Sequence, residues 1–380
     1  MPAMFAAHPK TNLPRAHSGL TLIEVMVAVV IALILLAVTV SIFVGNKRAY
    51  SEQEEMGRLQ ENARFALEMM MYDIRMAGYF GCSDESDTVL NHVKKNGVSD
   101  LYDSTIAVEG SEAGADWKPS GTDMDAAYTA DSGDGISIRY LQPGGYQVEG
   151  HNNASAEIDL NKVDGLAEGQ IVAISDCANT DIFQITQVQA AGAQKIQHNT
   201  GGGSSPGNLK NGDDDFDPAN CPSMSASNCF SKEYGTDAQI VFFISRRYFI
   251  CDADGDGVPS LCRNHVRPDG AGNAEIATEE LVEGIENMQI LYGVDGNDDR
   301  IADLYCVADD VDTTDCLDPA ATWDNVVSVQ LALLARTVDE YGTDTDAATY
   351  NLLGDVIDPV DDRRRRRVFT GTIQIRNRSF

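Results

Sequence analysis

Basic residues are scarce. The 380-residue chain has 28 Lys and Arg against 59 Asp and Glu, a formal net charge of −31. Phosphate contacts need clustered cations, so no direct nucleic-acid binding is expected. Only six histidines occur, and none sits in an H-E-x-x-H motif. No two cysteines stand in a C-x-x-C pair, which disfavours zinc. No phosphate-cradling glycine loop is present. Gly203-Ser204-Ser205-Pro206-Gly207 fits G-x-S-x-G, but a glycine tract precedes it and Pro-Gly-Asn follows. A nucleophile elbow needs a buried strand before the serine and a helix after it, so this match reads as linker. The chain is expected not to be an enzyme. An exported hydrolase, the contrary reading, requires a reactive Ser205.

Proline is absent between Pro14 and Pro119, and one long apolar run falls inside that window. Val25–Val44 reads VMVAVVIALILLAVTVSIFV, twenty residues with only Thr39 and Ser41 polar. As a helix it is about 30 Å long, the thickness of a bilayer core. No Ala-x-Ala cleavage site follows, so an ordinary secretory signal is disfavoured. Lys10 and Arg15 precede the run and Lys47 and Arg48 follow it, so flanking charge leaves the orientation open. Eight cysteines favour an oxidising compartment for the C-terminal part.

Glu24 lies at the mouth of the apolar run, in Gly19-Leu20-Thr21-Leu22-Ile23-Glu24-Val25. A carboxylate there requires a partner. Cleavage after Gly19 would place the new Leu20 amine one helical turn from it, in the same subunit or a neighbour. These residues resemble the class III signal of type IV pilins and type II secretion pseudopilins. The resemblance implies that a prepilin peptidase cuts after Gly19, that Leu20 becomes the N-methylated N-terminus, and that Glu24 guides the subunit into the filament. The family usually has Phe where Leu20 stands.

Leu59, Ala63, Ala66, Leu67, Met70, Ile74 and Ala77 continue an apolar stripe at helical spacing, and Gly78 and Gly81 read as its stop. Thr21–Ala77 is expected to be one helix, roughly 85 Å long. Gly57–Cys82, Leu281–Tyr305 and Arg363–Arg378 resemble the PilW family of type IV minor pilins. The resemblance implies a role in priming pilus assembly near the filament tip, in support of pilus biogenesis, twitching motility and adhesion. Its implied partners are other minor pilins, the major pilin, a tip adhesin, prepilin peptidase and the inner-membrane assembly platform. The implied location is the inner membrane of a Gram-negative bacterium with the head in the periplasm, then the pilus and cell surface. The alternatives are a type II secretion minor pseudopilin and a membrane-anchored calcium-dependent surface-binding protein.

The fold class expected is α+β: a pilin fold with a long N-terminal transmembrane and filament helix, and an antiparallel β-sheet head carrying a β-rich insertion. The divisions are a leader at 1–19, the membrane half of the helix at 20–45, its amphipathic half at 46–81, the insertion at 82–235 and the sheet head at 236–380. Ile136–Tyr140, Ile171–Ser175, Ile182–Val188, Ala238–Ser245, Arg247–Ile250, Met288–Tyr292, Val326–Ala335 and Val368–Arg376 read as strands. Glu279–Glu286 reads as a short helix, and His198–Asp217 as an exposed, mobile loop.

Eight cysteines allow 105 pairings. Proximity alone selects Cys221–Cys229, Cys251–Cys262 and Cys306–Cys316, leaving Cys82–Cys177. Asp252, Asp254, Asp256 and Gly257 match the first half of a calcium loop, although Arg263 holds the twelfth position where a bidentate acid is expected. A weaker calcium loop runs through Asp295, Asn297, Asp299 and Asp303, with Arg300 in place of the turn glycine. Arg363–Arg367 form a basic run, read first as a solvated strand entry neutralising Asp358, Asp361 and Asp362, and second as a contact with an acidic partner or with the protein's own acidic loops.

Overall fold

The computed structural model describes residues 19, 21–81, 89–94, 100–102, 106–112, 133–190, 192–200, 203–211, 213, 221, 230–252, 255–316, 322–341 and 344–378. They form one long helix, α1 (Leu22–Met76), and seventeen strands among the described residues. The strands are β1 (Val89–Asn91), β2 (Val108–Ser111), β3 (Gly135–Asn152), β4 (Glu157–Leu160), β5 (Ile171–Ser175), β6 (Thr180–Gln184), β7 (Gln187–Gln189) and β8 (Lys195–Gln197). They continue with β9 (Gln239–Cys251), β10 (Ser260–Pro268), β11 (Ala274–Glu283), β12 (Ile285–Val294), β13 (Leu304–Cys306), β14 (Val326–Arg336), β15 (Tyr350–Leu352), β16 (Asp355–Ile357) and β17 (Arg366–Gln374). This is the expected α+β composition.

The chain divides into two compact units, residues 1–54 and 55–380. In the first, the α1 residues from Leu22 to Val44 are exposed all round. A helix apolar on every side has no face suited to water, and this one is long enough to cross a membrane.

In the second unit the remainder of α1 is amphipathic. Leu59, Ala63, Ala66, Met70, Asp73 and Ile74 are buried, three or four residues apart, while Arg58, Glu61, Arg64 and Glu68 face out. The buried side chains share one core with Ile290, Leu331, Leu333 and Ile373 of the four-stranded sheet β13-β12-β14-β17. The helix stops where Gly78 takes φ +74°, a left-handed conformation that costs glycine least. Asn377 Nδ2 donates to the carbonyls of Met76 and Ala77, both at 3.2 Å, satisfying acceptors that the helix end leaves open.

The larger sheet has the order β1-β6-β5-β9-β3-β4-β8-β7, with β10 and β11 extending from β9 and β2 from β3. All its pairs are antiparallel except β1 with β6. Its central pair joins β3, from the 82–235 segment, to β9, from the 236–380 segment, over Ile136–Gln147 and Gln239–Tyr248. The two segments therefore share one sheet. Gly133 ties this sheet to the smaller one by bridging to Met288. Its φ is +101°, and a Cβ there would lie 2.1 Å from the Met288 carbonyl oxygen.

Two local expectations are corrected. Glu279–Glu286 is strand, turn and strand, not helix. Glu279 lies opposite Arg263 on β10 and accepts its Nη2 at 2.6 Å, Glu280 accepts Ser260 Oγ at 2.5 Å, and Glu275 accepts Arg267 Nε at 2.8 Å. Cross-strand partners override the helical preference of Glu and Leu. The stretch from His198 is not uniformly exposed either. Pro206–Leu209 are buried, because Asn208 Oδ1 accepts the Gln184 amide at 2.7 Å while its Nδ2 donates back to the Gln184 carbonyl at 2.9 Å.

The helix-to-sheet contact contains one buried charge. Asp73 is 1% exposed and accepts Arg246 Nη1 at 2.7 Å, Tyr248 OH at 2.5 Å and Tyr140 OH at 3.0 Å. Arg246 and Tyr248 are two apart on β9, hence on one face, and Tyr140 comes from the neighbouring β3. Burial, reinforced by the Asp73 charge, pushes both tyrosine hydroxyls up from their ordinary pKa. Asp73→Ala strands a guanidinium and two hydroxyls, and we expect a loss of about 3 kcal/mol. Urea unfolding of the full chain in detergent micelles measures it. A loss below about 1 kcal/mol would show that the network does not hold the helix to the head.

Candidate functional site

The N-terminal candidate is built on the first turn of α1. Thr21 precedes the helix, and Glu24 is its third residue. The Thr21 amide donates to Glu24 Oε2 at 2.9 Å, the Thr21 hydroxyl donates to the same oxygen at 3.0 Å, and the Glu24 amide donates to Thr21 Oγ1 at 3.3 Å. This is a reciprocal capping box, which satisfies two of the free amides of a helix start. The carboxylate at the mouth of the apolar run is thus held by its own chain as well as being placed near the N-terminus. Thr21 was not singled out in the sequence, although Thr-x-x-Glu before an apolar run carries that signal. Gly19 is exposed, with nothing within 4 Å of where a Cβ would sit. Leu20 lies outside the described residues. Further along, Thr39 Oγ1 donates to the Leu35 carbonyl at 2.8 Å, so a polar side chain in the apolar run is satisfied by the helix itself.

The carboxylate loops are turned onto their own backbone. In the first, Asp252 Oδ2 accepts the Gly257 amide at 3.0 Å and Asp256 Oδ1 accepts the Val258 amide at 2.7 Å. Asp254 lies outside the described residues. In the second, Asp295 accepts the amides of Asn297 and Arg300 at 3.0 and 2.6 Å, and Asn297 Oδ1 accepts that of Asp299 at 2.9 Å. Asp303 closes the loop by accepting the Gly296 amide at 2.9 Å. Arg300, where a glycine was expected, takes φ +67° and keeps the turn. Burial resists ionisation of Asp295, yet the backbone N–H groups of Asn297 and Arg300 pull its carboxyl below the usual carboxylate range. Among the described residues, no group of three or more His, Cys, Asp or Glu side chains is arranged to hold a metal ion.

Cys251 is bonded to Cys262 and Cys306 to Cys316. Cys177 and Cys221 are also in disulfides, and Cys82 and Cys229, the partners expected for them, lie outside the described residues. Ser205 is exposed in a loop whose next residues are buried Pro206 and Gly207, and Pro206–Lys210 are not helical.

The arginine run is engaged within the head. Arg366 is buried and forked onto Glu286 through Nε at 2.6 Å and onto Asp362 through Nη1 at 2.8 Å. Arg364 Nη1 donates to Asp362 at 3.0 Å and Arg363 Nη2 pairs with Glu340 at 2.6 Å. Arg363, Arg364, Asp362 and Glu340, with Arg336, line an open pocket of about 470 Å³ that carries charges of both signs. Burial resists ionisation of Asp362, but hydrogen bonds from Arg366 and Arg364 prevail and bring its pKa to about 2.

Residues 14–40 match the prokaryotic N-terminal methylation motif, and residues 247–377 match the family of the type IV pilus-assembly protein W. No curated protein and no solved structure matches the chain. The motif, with the apolar helix, supports a membrane-anchored protein that is then incorporated into pili. More narrowly, the two segments match a PilW-like type IV minor pilin, a structural component working within a type IV pilus assembly system.

The arginine run yields a test by contrast. Arg366→Ala removes the buried guanidinium shared by Glu286 and Asp362, leaving Glu286 with Arg336 and Asp362 with Arg364, and we expect it to cost roughly 3 kcal/mol. Arg363→Ala removes a half-exposed pair and should cost under about 1 kcal/mol. Because the Asp362 pKa is depressed in the folded protein, its contribution is complete above pH 3.8 and disappears as pH falls toward about 2. Urea midpoints of both variants between pH 7 and pH 2 read these effects.

Proposed function

We propose that this chain is a minor pilin that primes pilus assembly and is incorporated near the pilus tip, in support of pilus biogenesis, twitching motility and adhesion. One observation carries the reading: an N-terminal methylation motif and a W-family segment occur in the same chain. The precursor is held in the inner membrane by Val25–Val44. A prepilin peptidase cuts after Gly19 and methylates Leu20. Assembly moves an all-round apolar helix from lipid into a bundle of like helices, where Glu24 meets the amine of a neighbouring subunit and sets the register. The capping bonds from Thr21 support this by keeping the carboxylate satisfied before that partner arrives. The head then meets other minor pilins, the major pilin and a tip adhesin above the inner-membrane assembly platform. Calcium forms no part of this reading.

Mass spectrometry of the native protein should find a chain that begins at methylated Leu20. A chain retaining its first nineteen residues overturns the proposal. In a deletion strain, wild-type chain should restore surface pili and twitching, and Glu24→Ala should not. A secretion defect with normal twitching would instead identify a type II secretion pseudopilin.

A further inference from the structure

Three of the six histidines in the sequence meet in one buried cluster of the head, far in sequence from the assembly motif. His92 is 2% and His198 1% exposed, and His151 is partly buried beside them. They surround Phe230, on which His198 stacks with ring centroids 4.1 Å apart. The same cluster grips the short segment Phe230–Tyr234 from several elements. Asp181 of β6 accepts His92 Nε2 at 2.6 Å, Ser231 Oγ at 2.6 Å and Tyr234 OH at 2.7 Å. His151 of β3 accepts the Tyr234 amide on Nδ1 at 3.1 Å, and its Nε2 lies 3.3 Å from His198 Nε2.

This wiring dictates protonation states. Nδ1 of His151 accepts a backbone N–H, so it carries no proton. The single proton of a neutral His151 is then on Nε2 and donates to His198 Nε2, which must be bare in turn. Neither ring can gain a proton without placing an N–H against an N–H. For His151 the new proton faces the Tyr234 amide; for His198 it faces the proton of His151.

We propose that the cluster is an acid-sensitive latch, which holds Phe230–Tyr234 on the sheet while His151 and His198 are neutral and releases it when they are protonated. The surrounding charges are Asp181 of β6, Asp176 after β5, and Lys232 and Glu233 of the segment itself, with His92 after β1. Burial is the first influence on both rings and disfavours the charged form, while Glu233 and Asp181 partly oppose it at His151 and His151 and His92 add to it at His198. Lys232, paired with Asp176, holds the segment from the other side, and burial there is outweighed by that hydrogen bond, which keeps the Asp176 carboxyl ionised below its ordinary range. His151 and His198 are therefore the groups that respond. Their folded-state pKa values lie below the ordinary value of about 6.5, so the latch is complete above pH 6.5 and weakens as pH falls beneath it.

Hydrogen–deuterium exchange of the full chain in detergent micelles tests this, at pH 7.5 and pH 5.5, with times scaled for intrinsic exchange. Amides of residues 230–234 should lose protection by about tenfold for each participating histidine, while β14 keeps its protection. His151→Gln, which retains an acceptor for Tyr234, should fold and respond less to pH, as should His198→Phe, which retains the stacking. If either variant does not fold, the other decides. Unchanged protection of residues 230–234 at pH 5.5 in the wild type overturns the latch. So does an equal loss in β14, or a folded variant with the full wild-type response.

Discussion

The head depends on one carboxylate in an apolar contact. Asp73 lies on the buried face of α1 among Ala66, Met70, Ile74 and Ala77, where a charge has no water to turn to. Its partners come from two strands that are themselves the central pair of the large sheet. Apolar burial supplies most of the attraction between helix and sheet, but it is indifferent to register. The ionic contact is not: only one axial position of the helix brings Asp73 to Arg246, Tyr248 and Tyr140 together. We read the network as what fixes the position of the helix on the sheet, with the alanines at 63 and 66 giving the side chains of the sheet room beneath it.

The same principle, a carboxylate that must not be left alone, governs the other end of the helix. Glu24 begins an exposed apolar stretch, and Thr21 gives it two donors. An acid with local hydrogen bonds is tolerable before assembly and still has lone pairs free for an ammonium group. The capping arrangement and the proposed intersubunit pair are thus compatible stages.

Much of this was legible in the sequence. The apolar run, the stripe from Leu59 to Ala77 and the position of the Gly78 stop are written in spacing, because a helix repeats every 3.6 residues and one residue decides its end. Strands such as Ile171–Ser175 and Val326–Arg336 declared themselves by β-branched runs. What escaped notice depends on distant partners. Glu279 and Glu280 favour a helix until β10 lies beside them. Nothing local in Asp73 tells of Arg246, which is 173 residues away. His92, His151 and His198 are ordinary singly and meaningful only when three loops and strands bring them to Phe230. Of the three neighbouring acids expected to neutralise the arginine run, Asp362 is shown paired with it; Glu286 and Glu340 are distant partners that local spacing does not indicate, and Arg366 is buried rather than solvated.

The pairing of β3 with β9 also limits how such a chain can vary. A segment joined to its host by two loose crossings behaves as a cassette, which can be exchanged or removed while the host keeps its shape. Here the middle of the chain contributes a strand to the host's own sheet, so excising it would bare both the long edge of β9 and the apolar side chains beneath. The connections between paired strands are therefore the places where added length leaves that shared sheet intact.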